Sequence, residues 1–479
     1  MKKFSILLSI VLVLTFVLSA CAPAATPEPA EPPMEEPEET EAPAEPEEPE
    51  EPAEAEAPEE PEETEAPAAA PFEGVTVQFW HVYSGEPGEK MQALVDEFNE
   101  TNEYGITVEG FNQGNYGDIE DKVNAGIQSG DLPDVVMGYT NALADWYSVD
   151  SIVDLNPYIN DPEYGLTEEQ LNDLYPFLLD AVKTPDGAWI AYPLTQSANV
   201  MVYNFTWAQE LGFENPPQNT AELEEQLCAA ADENATKGAD FEGTGGMVYV
   251  PNTSNFLSFL YAFGGDELNE DGTAYDFNTP EAAAVATFIL DLKAKGCVFT
   301  IDGYPNPEQA QRKALITLSS TAGLPYYTGA FEEEGNEDDW GALPFVGPDG
   351  QKAVNAFQQM LGVVPSTEDE QMASWLFIKW LTSPEIQASW IRTSKYYGTQ
   401  ATTEELLTDL AEEDPVWASA IDLIALGPSE PQTFPAWSAV RSAVGDTAAE
   451  LYNATGEDDV ETILATLTAE ASDLVDEVQ

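Results

Sequence analysis

The chain has 479 residues, with 89 Asp and Glu against 15 Lys and Arg, and a formal charge of −74. A field of that sign repels nucleic acid, anionic lipid surfaces and anionic solutes at long range, so no nucleic-acid partner is expected. Screening confines that exclusion to the surface, because a cation inside a cleft can still hold an anion.

The first residues read as a leader. Lys2 and Lys3 precede an apolar run over 6–17, and Leu18-Ser19-Ala20-Cys21 follows. A charged start, an apolar core and small residues at a cut site describe a secretory signal peptide over 1–20. The run is shorter than the roughly 20 residues that a spanning helix needs. Leu-Ser-Ala-Cys resembles a bacterial lipobox, which implies a lipidated Cys21 and an extracytoplasmic chain anchored to the cell membrane through acyl groups. Residues 22–71 are almost wholly Pro, Glu, Ala and Thr, with no Lys, Arg or aromatic residue. Such a segment buries too little apolar surface to offset its conformational entropy, so 21–71 is expected to be a disordered tether behind the lipidated cysteine. Fully extended, it reaches on the order of 150 Å.

Residues 72–479 exceed the size at which one core stops growing, so two lobes are expected. Of the 89 acids 19 lie in the tether, and of the 15 bases two lie in the leader, which leaves 70 acids against 13 bases. Two cysteines remain, Cys228 and Cys297. Outside the membrane a disulfide is expected between them rather than two buried thiols. No CxxC and no His/Cys cluster occurs, so no metal is expected.

Residues 75–80 (VTVQFW) alternate and are rich in β-branched and aromatic side chains, which predicts a strand. Met91, Leu94, Val95 and Phe98 recur at helical spacing over 89–102. A strand over 106–111, a helix over 118–130 ending at Gly130, and a short strand over 132–139 follow. This order indicates a parallel α/β sheet. A loop with a short helix covers 144–159. The longest strand-like run is 189–204, with a polar kink at Thr195-Gln196-Ser197. Helices are predicted over 204–213 and after Asn219 or Thr220, either of which can cap. A further helix over 278–296 has Pro280 near its start and Gly296 past its end. Residues 314–323 read as a strand and a small-residue turn, 372–393 as amphipathic helices, and two more helices close the chain. Trp375, Trp380 and Trp390 sit on helical stripes and are assigned to the core.

Several short pieces occur in a recognisable order. They are FWH with a Gly-bearing loop, Gly114-Asn115-Tyr116, Ser129-Gly130 with Pro133-Asp134-Val135, and Tyr192-Pro193-Leu194 with Ser197 and Tyr203-Asn204. Leu211-Gly212, Pro216-Pro217, Thr220, the 319–323 turn and Tyr397-Gly398 continue the series. Together with the lipobox they resemble the extracytoplasmic solute-binding lipoproteins of ABC importers, in the sugar-binding group of maltose- and glycerol-3-phosphate-binding proteins. The resemblance covers nearly all of 75–470. It implies an α/β, two-lobed periplasmic-binding-protein-like fold with a ligand cleft between lobes joined by crossing hinge strands. It places 72–190 plus 314–357 in lobe 1 and 191–313 plus 358–479 in lobe 2. It also implies a monomer that captures a neutral mono- or oligosaccharide by hinge closure and delivers it to permease subunits.

Ligands in such sheets sit beyond the C-terminal strand ends. The loop after 75–80 supplies Trp80, His81, Tyr83 and Ser84, and later strand ends supply Tyr116 and Tyr139. Aromatic faces suit the apolar C–H faces of a sugar. Ser197 lies at the expected kink, Asn252, Ser254 and Asn255 form a polar turn, and Ser320, Thr321 and Tyr397 complete the candidate set. His81, the only histidine, is read as a wall residue rather than a proton shuttle. The chain departs from the glycerol-3-phosphate-binding pattern in one respect: only Arg441 is basic in PQTFPAWSAVRSAVG, and it lies beyond the position of the phosphate-gripping arginine. A dianion without a guanidinium fork needs other donors. Glycerol-3-phosphate or another phosphorylated polyol therefore stands as the alternative ligand. No GxSxG, HExxH or P-loop appears, so no catalytic residue and no cofactor is assigned.

Overall fold

The computed structural model describes residues 70–478 except 185–186 and 428–429. The leader, Cys21 and all but the last two residues of the expected tether lie outside the described residues.

β1 (Thr76–His81) turns Val77, Phe79 and His81 inward. α1 (Gly85–Thr101) buries Met91, Leu94, Val95 and Phe98 along one stripe and starts four residues before the expected helix. Burial of each such apolar side chain contributes roughly 1.5–3 kcal/mol. β2 (Thr107–Asn112) lies parallel to β1. α2 (Tyr116–Ser129) begins in a capping box, in which Asn115 accepts from the Asp118 N–H while the Asp118 carboxylate accepts from the Asn115 N–H. It ends at Gly130 in the left-handed region that glycine adopts without strain. β3 (Val135–Gly138) pairs with the other side of β1, and α3 (Thr140–Ser148) follows it.

β4 (Tyr192–Asn204) is one continuous strand with all 13 residues buried. The expected kink at 195–197 is absent. Thr195, Gln196 and Ser197 stay in register with β11 (Asn355–Val363), and the irregularity falls just before them, where Leu194 of β4 is left without a partner between the Thr195–Gln359 and Pro193–Met360 pairs. The C-terminal half of β4 pairs with β7 (Ala314–Ser320) and β8 (Trp340–Leu343). Between these lie α4 (Thr220–Asn234), β5 (Gly245–Val248), α5 (Thr253–Ala262), α6 (Pro280–Ala294) and β6 (Val298–Phe299). After β7 come α7 (Leu324–Glu334) and a small hairpin of β9 (Phe345–Val346) and β10 (Lys352–Ala353). Then follow α8 (Glu368–Leu381), α9 (Pro384–Ser394), α10 (Pro415–Ile424), α11 (Trp437–Leu451) and α12 (Glu457–Val478). The main sheet runs β2-β1-β3-β11-β4-β7-β5-β6. Its pairs are parallel at both ends and antiparallel from β3 to β7, so an all-parallel reading holds only within each end.

Two large hydrophobic clusters flank the antiparallel centre. The first holds the β1–β3 layer with α1, α8, α9 and α10. The second holds α4, α5, α6, β5, β7, α11 and α12. β4 serves both: Ala198, Val200 and Val202 point into the first and Met201 and Tyr203 into the second. This double coverage explains the lack of an exposed face. The two cores cut across the expected 314–357 and 358–479 blocks: Leu324, Tyr327, Ala342 and Val354 pack into the first and Trp437, Val440 and Leu464 into the second, in line with those blocks, but other residues do not. Ile316, Leu318, Phe345 and Ala353 belong to the second core, whereas Trp375, Phe377, Trp390 and Trp417 belong to the first. The physical reason is that β11 runs back beside β3, which delivers α8 and α9 onto β1 and α1.

Cys228 on α4 and Cys297 before β6 are joined by a disulfide with a Cα–Cα separation of 4.7 Å. Gly246 permits that approach, because a Cβ there would stand 1.8 Å from the Cys297 carbonyl oxygen.

Candidate functional site

The polar residues of β4 and β11 cluster where the two cores meet. Gln359 is the centre. Its Oε1 accepts from the Tyr83 hydroxyl at 2.6 Å and the Thr195 hydroxyl at 2.6 Å, and its Nε2 donates to the Tyr116 hydroxyl at 2.7 Å. The Tyr116 and Tyr139 rings lie 4.3 Å apart. Burial pushes the Tyr83 and Tyr116 phenols well above their ordinary range, with the neighbouring tyrosines adding to it. Burial likewise raises Tyr139, partly countered by Arg441. All three therefore stay neutral hydroxyls.

Beside this cluster, Val82, Ser84, Asn112, Gly114, Asn115, Tyr116 and Asp118 line a cavity of about 440 Å³ at the C-terminal ends of β1 and β2. The expected strand-end location thus holds for Ser84 and Tyr116. A larger groove of about 600 Å³ lies on the second core between α6 and the start of α12, away from every candidate residue.

Close enough to Tyr139 to act on its phenol lies an ionic group. Arg441 donates from Nε to Glu430 Oε2 at 2.6 Å and from Nη2 to Glu430 Oε1 at 3.3 Å, and Nη2 also donates to Ser254 Oγ at 3.0 Å. Glu430 is buried and also accepts from Asn355 Nδ2 and Trp437 Nε1. Burial pulls the guanidinium pKa down, but Glu430 reverses this and the net direction is upward. Near it on α2, burial raises the Glu120 carboxyl, Asp145 and Asp121 raise it further, and Arg441 lowers it.

The remaining candidates divide clearly. Ser254 belongs to the ionic group. Asn255 is buried, accepts from Asn199 Nδ2 and donates to the Val250 carbonyl. Asn252 caps α5 by accepting from the Asn255 N–H. Thr321 is buried and accepts from the Ala198 N–H, while Ser320 is half-buried and pairs with Asn199 in the sheet. Ser197 is buried within β4. Trp80 is half-buried against the first core and sits between Phe111 and Val136 in the sheet. His81 is 4 % exposed, its Nδ1 accepts from the Tyr83 N–H at 3.2 Å, and burial lowers its pKa from 6.5 to about 4. It is a buried neutral group that fixes the loop backbone.

Tyr397 is placed elsewhere than expected. It is fully buried, stacks on Trp417 with centroids 5.2 Å apart, and donates to the Trp417 carbonyl. Its neighbour Tyr396 is half-buried and interacts with Tyr139, Tyr326 and Gln359. The two tyrosines follow Lys395, the left-handed C-cap of α9 at φ 58°, and the Tyr397 backbone pairs with Gln196 of β4. Gln359, Thr195, Asn199, Tyr396, Glu430 and Arg441 are site residues beyond the candidate set. Consecutive glutamines inside the apolar run NAFQQMLGVV carried a signal for Gln359.

A family model described as bacterial extracellular solute-binding protein matches residues 93–418. The chain belongs to that family. Among curated relatives, the sn-glycerol-3-phosphate-binding periplasmic protein UgpB of Rhizobium meliloti is 25% identical over 334 residues, covering 67% of this chain and 74% of its own. UgpB of Salmonella typhimurium is 25% identical over 231 residues, covering 46% of this chain and 50% of its own, so the match spans about half the length of that relative. Two solved structures cover 84% of this solute-binding protein. The cyclic α-maltosyl-1,6-maltose binding protein from Arthrobacter globiformis has a TM-score of 0.71 at 22% identity over 99% of its chain. UgpB from Mycobacterium tuberculosis in complex with glycerophosphocholine has a TM-score of 0.68 at 19% identity over 98% of its chain. These likenesses show the two-lobed periplasmic-binding-protein fold.

Proposed function

We propose that this protein is the substrate-binding component of an ABC sugar importer. It captures a neutral mono- or oligosaccharide between its lobes, closes about β4 and β11, and delivers the sugar to permease subunits without making or breaking a covalent bond. It acts as a monomer outside the cytoplasmic membrane, held by a lipid on Cys21 and set off from the surface by the 22–71 tether. The ligand contacts are assigned to Tyr116, Tyr139, Ser84, Ser254 and Ser320 of the candidate set, with Tyr396 in place of Tyr397. Trp80, His81, Tyr83, Ser197, Asn252, Asn255 and Thr321 support that surface.

The observation that carries this reading is the pairing of Arg441 with buried Glu430 beside a set of neutral tyrosine hydroxyls. A surface of uncharged donors, acceptors and aromatic faces suits a polyhydroxylated ring. A second reading, glycerol-3-phosphate or another phosphorylated polyol, is favoured by the names of the curated relatives. It requires Arg441 to leave a carboxylate that it already engages through two donors, and charge-assisted pairs of this kind are the strong ones. A thermal-shift panel of maltose, xylose and their oligomers beside glycerol-3-phosphate separates the two, since a ligand of the folded state raises the melting temperature by mass action. Stabilisation by a neutral sugar alone is the expected result. Stabilisation by the phosphate ester alone supports the second reading, and product formation from any oligomer contradicts a binding role.

A further inference from the structure

We propose that Asn141, Asp145 and Ser438 form a latch between the two lobes that sets how far the crevice opens. The proposal rests on the reading of two lobes that move about β4 and β11, and not on the identity of the ligand.

α3 packs into the first core through Leu143 and Trp146, and α11 packs into the second through Trp437, Val440 and Val444. The two helices meet at one point. Asn141 Nδ2 donates to Ser438 Oγ at 2.8 Å, and that hydroxyl donates to Asp145 Oδ2 at 2.6 Å. Asn141 and Asp145 are four residues apart, so both project from one face of α3. One serine hydroxyl thus accepts from and donates to the opposite lobe.

The start of α11 explains why a carboxylate belongs there. Its N-cap is Ala436 at φ 61°, no side chain caps it, and its first turn contains no acid. A 15-residue helix carries unsatisfied N–H groups and partial positive charge at that end. Elsewhere in this chain Asn115, Asn219, Asn252, Thr279 and Thr367 cap their own helices. At the start of α11, Glu430 engages the Trp437 indole and Arg441, and the Ser438 hydroxyl has its carboxylate from the other core, as Asp145. Separating the lobes removes that group and leaves the hydroxyl of Ser438 to water. Contact between the lobes is therefore favoured by groups that belong to the protein alone. A ligand then adds its own differential affinity to an equilibrium that the latch has already biased.

The test is the distance between lobes in the full chain without sugar, measured by pulsed electron spin resonance. Nitroxide labels are placed at Glu97→Cys on α1 and Glu225→Cys on α4, both exposed and on opposite lobes. The disulfide keeps Cys228 and Cys297 from labelling, and Cys21→Ser in parent and variants removes the third thiol. Ser438→Ala and, independently, Asp145→Ala are expected to move the distribution towards longer distances while melting as cooperatively as the parent. Ser438→Thr, which keeps the hydroxyl, is expected to restore the parent distribution. Distributions for Ser438→Ala and Asp145→Ala that superimpose on the parent overturn the latch, whether or not any sugar binds. A failure of the sugar panel with lengthened distances overturns the sugar reading and leaves the latch standing.

Discussion

The polar surfaces attached to the two cores differ in chemistry. The first presents neutral tyrosines tied to one glutamine on a crossing strand, backed by a buried histidine. The second presents an arginine locked to a buried carboxylate, on a core that a disulfide also staples. Neutral hydroxyls offer a ligand both donors and acceptors at little desolvation cost. A buried ion pair offers fixed geometry but strongly resists losing one partner. The first is therefore the adaptable surface and the second the rigid one.

Breaking the rigid side has the largest expected effects. Reducing Cys228–Cys297, which closes a loop spanning 69 residues, is expected to cost about 4 kcal/mol on the chain-entropy account. Urea unfolding with and without reductant measures it, and an unchanged midpoint contradicts a stapled second core. Arg441→Ala leaves Glu430 buried beside only Asn355 and Trp437. A loss of about 2–3 kcal/mol is expected, below the range for a wholly buried pair because the guanidinium is partly solvated.

Effects on the first surface are smaller and sharpen the contrast. His81 has a folded pKa of about 4 against 6.5 when free. Between those values the unfolded chain binds the proton and the folded chain does not. Stability is therefore full above about pH 6.5 and falls as the pH drops towards 4, by about 2 kcal/mol from pH 7 to pH 5. The buried Glu267 carboxyl, raised by desolvation, titrates in the opposite sense. The difference between parent and His81→Asn isolates the histidine, and equal pH slopes for the two contradict its burial. Gln359→Ala strands the Tyr83, Thr195 and Tyr116 hydroxyls. It should cost about 2 kcal/mol of stability and most of the sugar affinity, as read by calorimetry. Tyr116→Phe removes one hydroxyl from a half-buried ring and should cost about 1 kcal/mol of binding or less.

Much of the first core was legible in the sequence, because its elements obey local periodicity. Met91, Leu94, Val95 and Phe98 declare a helix, and Gly130 declares the end of its neighbour, whose capping box at Asn115 lies ahead of the expected start at 118. The same logic misread β4. Thr195 to Ser197 look like an interruption, yet a strand covered on both faces can carry polar groups when the adjoining strand satisfies them, as Gln359 does for Thr195. The packing of 358–424 against the first core was illegible for a related reason: no local signal says that β11 returns beside β3. Tyr396 and Tyr397 are indistinguishable by residue type, and only tertiary contacts, the Gln196 bridge and the Trp417 stack at Tyr397, separate them. Arg441 was visible as the lone basic residue of its segment, but its pairing with Glu430 is a tertiary fact.

The most direct test of the central claim is a calorimetric titration of the purified chain with a neutral oligosaccharide and, separately, with glycerol-3-phosphate at matched ionic strength. The account predicts one-to-one binding of the neutral sugar, sharply weakened by Gln359→Ala, and no heat from the ester. One-to-one binding of the ester, with silence across the neutral sugars, would contradict it.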